Sequence, residues 1–382
     1  MGIFKKSTAF LLLFVFLIYT IPLYTSANNT TLKNVSAKSA CLIEAESGRI
    51  LYSKNSSSRM PMASTTKIMT AIVALESGIA LDTVIKISKE AVGVEGSSVY
   101  LKHGESVTFE MLLYALMLSS ANDAAVAIAH TVSPSVEEFV NLMNAKALSL
   151  GCNNTHFTNP HGLYDDNHYT TAEELAIIMA YAMKNEVFAE ITSCQQKAFA
   201  REDGTSFLLS NHNRLLKSHK GVIGGKTGFT KKSGRCLVTC AERDRLQLIA
   251  VTLNAPDDWN DHTKLYDFAF EYYECVRFDA ISFKIPVISG EKGDLAAASE
   301  PLSVMMPKVH GDISIKVNAP QFTFAEVKQG EIVGEILYYC DGKIIASAPL
   351  YARESIARTK HKFNLFEWLI DLIKGFFSKW KK

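Results

Sequence analysis

Apolar positions along this chain follow two rhythms, one recurring every three to four residues and one every second residue. The three- to four-residue rhythm predicts helices over Ile68–Leu75, Met111–Leu118 and Ala172–Tyr181. The two-residue rhythm predicts a hairpin of Cys41–Ile43 with Ile50–Tyr52 around Glu46-Ser47-Gly48. It predicts a second strand pair, Cys236–Ala241 with Gln247–Leu253, turning through Glu242 to Arg245. From Phe278 to about Ala352 the helical rhythm disappears. Short strands such as Ser314–Val317, Thr323–Val327 and Ile332–Tyr339 stand there between Gly and Asp turns, as expected of a small all-β domain.

The two ends carry patterns of their own. Lys5-Lys6 precede an apolar run from Ala9 to Tyr19, then Pro22 and the polar stretch Thr25-Ser26-Ala27-Asn28-Asn29. That order predicts an export signal cleaved after Ala27; an uncleaved membrane anchor is the alternative, disfavoured because the apolar run is shorter than the ~20 residues a spanning helix needs. From Phe363 onward Asn364, Glu367, Asp371, Lys374, Ser378 and Lys381 recur at alternating steps of three and four, so they stack on one helical stripe. The remaining surface is apolar and aromatic, with Trp368, Trp380 and a cluster of lysines at the very end. A polar group every turn excludes a spanning helix, and the pattern predicts one lying in a membrane interface. A helix packed on its own domain is the alternative.

Composition narrows the function classes. A chain of 382 residues with 48% hydrophobic and 21% charged residues is expected to hold two folded units plus accessories. A net charge of +1 argues against a nucleic-acid partner, which a basic excess would signal. Seven cysteines are spread without a Cys-x-x-Cys pair, unlike a disulfide scaffold or a zinc site. Cys236 and Cys240 fall on one face of a strand about 13 Å apart, too far to bridge, and the cysteines are read as mostly buried free thiols.

Three short segments carry candidate chemistry. Ser64-Thr65-Thr66-Lys67 opens a helical run, which puts Ser64 and Lys67 at i and i+3 on one face. A serine is a poor nucleophile until a base takes its proton, and a lysine is such a base only when burial or nearby cations lower its pKa. By itself the tetrapeptide equally describes a helix cap followed by a solvent-facing lysine. Ser120-Ala121-Asn122 sits between Met111–Leu118 and the small-residue run Ala124–Ala129, where a polar turn between helices is expected. Lys226-Thr227-Gly228 follows Gly224-Gly225 and is expected just ahead of a strand. A phosphate-binding loop would need glycine five residues before Gly225, where Lys220 stands, so the nucleotide reading fails on spacing.

In this order the three segments resemble the Ser-x-x-Lys, Ser-x-Asn and Lys-Thr-Gly signature of the penicillin-recognising serine enzymes. The flanking text is similar to the low-molecular-mass penicillin-binding proteins that act as serine D-alanyl-D-alanine carboxypeptidases. It comprises Met62-Ala63-Ser64-Thr65-Thr66-Lys67-Ile68-Met69-Thr70, Ser119-Ser120-Ala121-Asn122-Asp123, Asn159-Pro160-His161-Gly162-Leu163 with His168-Tyr169, and Gly225-Lys226-Thr227-Gly228-Phe229-Thr230. The resemblance implies an α/β (α+β) catalytic domain with an antiparallel sheet flanked by helices, then the small all-β domain and the amphipathic terminal helix. The expected division is 1–27 for the signal, 28–276 for catalysis, 277–354 for the β-rich domain and 355–382 for the helix.

The resemblance also assigns roles. Ser64, Lys67 and Ser120 would be catalytic: Ser64 the nucleophile, Lys67 its base, Ser120 a proton relay to the leaving amine. Asn122 would hold the substrate amide, and Lys226 with Thr227 would orient its carboxylate. Gly228 would keep the strand clear of the substrate, and the N–H groups of Ser64 and Phe229 would form an oxyanion hole. Some relatives carry arginine in the middle of the segment that here reads Asn211-His212-Asn213, so the cation that grips the carboxylate stays open. Implied partners are a peptidoglycan stem peptide, β-lactams as inhibitors and, through the terminal helix, the extracytoplasmic membrane face. The absence of a Glu-x-x-Leu-Asn segment argues against fast β-lactam hydrolysis.

Two competing functions are weighed. The stretch from His156 to His168, with Asp165 and Asp166, has the look of a zinc peptidase's ligand cluster. No histidine in the chain precedes a glutamate, however, so the stretch is read as a hydrogen-bonded loop, and no metal or other cofactor is expected. The second alternative is a non-catalytic penicillin-binding scaffold or sensor of cell-wall fragments.

Overall fold

The structure is a computed structural model that describes residues 32, 35–201, 204–359 and 370. The expected export signal, and all but the first residues and Ile370 of the expected terminal helix, lie outside the described residues.

The first unit has β1 (Ser39–Glu44), β2 (Ile50–Lys54), α1 (Lys67–Glu76), β3 (Val84–Lys86), β4 (Ser106–Thr108), α2 (Phe109–Met117), α3 (Asn122–Val132) and α4 (Val136–Ser149). It continues with α5 (Ala172–Met183), α6 (Glu186–Ser193), β5 (Gln196–Ala200), β6 (Ser206–Ser210), α7 (Leu215–Ser218), β7 (Val222–Thr230), β8 (Gly234–Arg243), β9 (Leu246–Leu253) and α8 (Asp258–Tyr272). Five strands form one antiparallel sheet in the order β2-β1-β9-β8-β7. Side-chain alternation divides its two faces as the sequence rhythm requires. Cys41, Ile43, Cys236, Val238, Cys240, Ile249 and Val251 face the large core built on α1 to α6. Ala40, Leu42, Leu237, Ala241, Leu248 and Ala250 face α8, with Leu265, Tyr266 and Ala269.

All seven cysteines are free, and Cys41, Cys152, Cys236 and Cys240 are buried. The predicted helices and both hairpins are present with slightly longer bounds. Lys226 corrects one expectation: it lies inside β7 rather than ahead of it. Glycines at 224, 225 and 228 erase the alternation that would have marked this strand.

β7 is the edge strand, and part of its outer edge is closed. Thr192 on α6 accepts from Gly225 N–H and donates to Gly225 C=O, both at 2.9 Å. In an antiparallel ladder a residue's N–H and C=O point the same way and alternate between neighbours. Thr227 and Phe229 therefore share Gly225's outward direction.

The second unit is all-β: β10 (Tyr273–Phe278), β11 (Ser282–Ile288), β12 (Asp294–Ala298), β13 (Leu302–Pro307), β14 (Ile313–Asn318), β15 (Thr323–Phe324), β16 (Ile332–Cys340) and β17 (Lys343–Ala352). Six of these strands form a sheet in the order β14-β16-β17-β12-β11-β15, over a core of Ile285, Leu295, Ile336, Tyr338 and Leu350. The strand expected over Thr323–Val327 is shorter: after Phe324 the pairing changes partner, and Val327 bridges Ile356. β10 runs directly on from α8 and pairs with β13. Lys308 Nζ donates to Phe270 C=O at 2.8 Å and Lys308 N–H to Tyr272 C=O at 2.9 Å, which ties the two units.

Candidate active site

Ser64 sits in a 3₁₀ turn, Ala63–Thr66, that runs into α1. Ala63 holds φ +48°, a left-handed conformation that costs an L residue energy and persists only where neighbours enforce it. The enforcement is local: Thr65 Oγ1 donates to Met62 C=O at 2.6 Å and Thr66 Oγ1 to Ala63 C=O at 2.8 Å. The Ser64 side chain caps nothing, and Lys67 is wholly buried, so the ordinary cap-and-exposed-lysine arrangement is not what the chain builds.

Lys67 Nζ lies 3.0 Å from Ser64 Oγ, 2.6 Å from Asn122 Oδ1 and 2.7 Å from the His161 carbonyl. Asn122 Nδ2 donates to the Glu95 carbonyl at 2.5 Å, which settles which end of the amide faces Lys67. Burial, and then the Lys226 charge, hold Lys67 well below the usual lysine range, with Asp123 partly offsetting them. A neutral amine has two N–H bonds and one lone pair. Asn122 Oδ1 and the His161 carbonyl can only accept, so they take the two hydrogens and leave the lone pair for the Ser64 hydroxyl.

On the opposite wall, Ser120 occupies the turn between α2 and α3 with φ +57°. Lys226 Nζ donates to Ser120 Oγ and to Thr227 C=O, both at 2.9 Å. Burial lowers Lys226 to about 7. The cleft between the walls, about 330 Å³, is lined by Ser64, Ser97, Ser120 and His212. Thr227, Gly228, Phe229, Arg235, Asp258 and Trp259 complete it. Phe229 is 65% exposed at its rim, and its N–H points outward from β7.

Asn122 is 4% exposed; its Oδ1 accepts from Lys67 and one of its two Nδ2 hydrogens goes to the Glu95 carbonyl, so it positions the base and keeps a second N–H. A Cβ at Gly228 would lie 3.0 Å from Ser64 N and 3.1 Å from Met62 O. The clearance that glycine provides on this wall of the cleft extends to the nucleophile's own turn.

The His156–His168 stretch is a hydrogen-bonded loop. His156 Nδ1 pairs with Asn167 C=O at 2.6 Å. His168 Nδ1 accepts from Thr158 N–H at 3.0 Å and Nε2 lies 2.7 Å from Thr66 Oγ1. Since Thr66 already donates its proton to Ala63, His168 must donate from Nε2, and burial lowers it to about 4, in keeping with that neutral tautomer. The loop therefore braces the nucleophile's turn while presenting the His161 carbonyl to Lys67.

Sequence reasoning missed that carbonyl, the Glu95 carbonyl, and Arg235, Asp258 and Trp259. Main-chain oxygens leave no residue-type signal. Arg235 lies beyond the Lys-Thr-Gly text and reaches the cleft only because β8 returns alongside β7.

Residues 25–257 match the model of the S11 peptidase family, described as D-alanyl-D-alanine carboxypeptidase, and the chain belongs to that family. Residues 270–358 match the C-terminal domain of penicillin-binding protein 5. The chain is 35% identical over 335 residues to D-alanyl-D-alanine carboxypeptidase DacF of Bacillus subtilis, covering 84% of this chain and 86% of the relative. It is 32% identical over 370 residues to DacC of Escherichia coli, covering 91% of each. Among solved structures, penicillin-binding protein 5 from Haemophilus influenzae is similar with a TM-score of 0.75 and 28% identity, covering 85% of this chain and 98% of that one.

Proposed function

We propose that this protein is a serine D-alanyl-D-alanine carboxypeptidase that trims the terminal D-alanine from peptidoglycan stem pentapeptides through an acyl-enzyme on Ser64. The observation that carries the assignment is a fully buried Lys67 whose Nζ lies 3.0 Å from Ser64 Oγ, with its two other directions taken by acceptors.

Ser64 Oγ attacks the carbonyl between the last two D-alanines as its proton passes to Lys67 Nζ. The oxyanion accepts from the N–H groups of Ser64 and Phe229, a contribution typically of about 3 to 4 kcal/mol per donor. As the C–N bond breaks, the Ser120 hydroxyl gives its proton to the leaving amine and takes one from Lys226 Nζ, which donates to it. D-Alanine departs, and water later cleaves the ester, its proton returning to Lys226 through Ser120 while Lys67 gives its own back to Ser64 Oγ, which leaves the acid and free enzyme. A β-lactam enters the same path, but its ring-opened leaving group stays attached, so the adduct persists.

The test is incubation with a fluorescent penicillin followed by intact-mass measurement. Wild type should gain one adduct and Ser64→Ala none; no adduct on wild type would defeat the serine reading. D-Alanine release from a pentapeptide, unaffected by chelators, separates this enzyme from a sensor and from a zinc peptidase.

The proposed division is a signal over 1–27, catalysis over 28–276, the β-rich domain over 277–354 and an interfacial helix over 355–382. It places the enzyme at the extracytoplasmic membrane face. Among the described residues no helix is long and apolar enough to cross a membrane. Peripheral attachment through the aromatic, lysine-tipped end suits that composition.

A further inference from the structure

The terminal carboxylate of the peptide needs a cation in the cleft, and neither position offered by the sequence supplies a free one. Lys226 spends hydrogens on Ser120 and Thr227, and with its pKa near 7 much of its charge is gone at neutral pH. His212 lines the cleft where some relatives carry arginine, but burial and the charges of Lys226 and Lys67 lower its pKa and favour the neutral ring.

Arg235 differs on each count. It stands on β8 directly across from Phe229, on the wall shared with Ser64 and Thr227. A guanidinium is a cation that presents a planar fork of donors. Nε donates to Asp258 Oδ1 at 3.0 Å, and Nη2 lies 2.9 Å from the same oxygen in an ion pair. Asp258 is itself 2% exposed and also accepts from Trp259 N–H at 2.9 Å. The Trp259 ring lies 5.7 Å from the guanidinium carbon. One edge of the fork is thus locked, while the side chain keeps 44% of its surface exposed. A guanidinium held this way is preorganised to donate to a planar anion.

We propose that Arg235, with Asp258 as its positioning residue, binds the substrate's terminal carboxylate, so that β8 carries the anchor in this chain. The inference rests on the acyl-transfer reading of Ser64.

The test compares a peptide ending in D-alanyl-D-alanine with the same peptide ending in a carboxamide. Arg235→Gln should lower kcat/KM on the carboxylate peptide by about ten- to a hundredfold, the size expected for losing a charge-assisted hydrogen bond. The carboxamide rate should stay within about twofold, and Arg235→Lys should recover part of the loss. Because Arg235→Gln leaves Asp258 buried without its partner, the double variant Arg235→Gln/Asp258→Asn is measured alongside and should show the same selective loss. A matched pair, penicillin and its methyl ester, reads the same discrimination through acylation alone. It therefore stays decisive even if wild type releases no D-alanine, an outcome that would instead overturn the carboxypeptidase reading. Equal losses on charged and uncharged partners, or no loss on either, would overturn the anchor.

Discussion

Two lysines are buried at the cleft; burial lowers both, and the Lys226 charge lowers Lys67 further. Removing Lys226 relieves Lys67 of a repelling charge, so Lys226→Met should raise the Lys67 pKa. The acid limb of the penicillin-acylation profile should then move to higher pH in a stopped-flow titration. The same substitution bears on stability. A lysine lowered to about 7 in the folded state and ordinary when unfolded leaves the unfolded chain binding more protons between those values. Wild-type stability should therefore rise as pH climbs from about 7 toward 10. Lys226→Met should be more stable than wild type at pH 6, by on the order of a few kcal/mol in urea unfolding, with the gap narrowing at pH 9. The cysteines give a simpler test. Burial pushes Cys41 and Cys152 up to about 12 and Cys236 to about 11, so a thiol reagent on native protein should reach only Cys194, Cys275 and Cys340 quickly. Ser64, Lys67, Ser120 and Lys226 were legible because their spacing carries the chemistry. Asn122 was legible with them, but the His161 carbonyl that takes Lys67's other hydrogen was not, nor was the Glu95 carbonyl, 27 residues from Asn122, that orients its amide, since both are main chain.

Elements hold these atoms in place through backbone proximity. Gly162, at φ +87°, would bring a Cβ within 1.9 Å of the Ala63 carbonyl oxygen. Gly162→Ala should destabilise the fold by about 2 kcal/mol or more and displace both the His161 carbonyl and the nucleophile's turn. The check is a lower melting midpoint together with slowed acylation. Gly228→Ala meets only a 3.0 Å approach to Ser64 N, so its cost should fall on acylation more than on the melting midpoint. Strands with alternating side chains, β1, β8 and β9, could be read from the sequence because two different cores claim their two faces. β7 could not: its glycines exist for the contact with the Ser64 turn and with Thr192, and a contact between distant segments leaves no local period.

At the scale of the whole molecule, catalysis belongs to the α/β unit, and the β-rich unit continues from α8 into β10, with Lys308 hydrogen-bonded to the end of α8. Deleting residues 363–382 should release the protein from membrane vesicles with Ser64 acylation unchanged; undiminished co-sedimentation would count against the tether. A change of rhythm near Phe278 was readable, at the end of β10 rather than at its start. The pairing of β10 with β13, which turns a linker into part of a sheet, was not, because it joins strands on either side of another hairpin. The Thr192 hydroxyl also bears on how the molecule behaves among other chains. A bare strand edge invites other chains to add themselves to a sheet. By answering both polar groups of Gly225, one side chain shortens the adhesive length of β7 to the span from Thr227 to Phe229. That span accommodates the tip of a peptide and is shorter than the ~5 residues of an ordinary strand. An open edge that short leaves little length for the sheet of a second molecule to join.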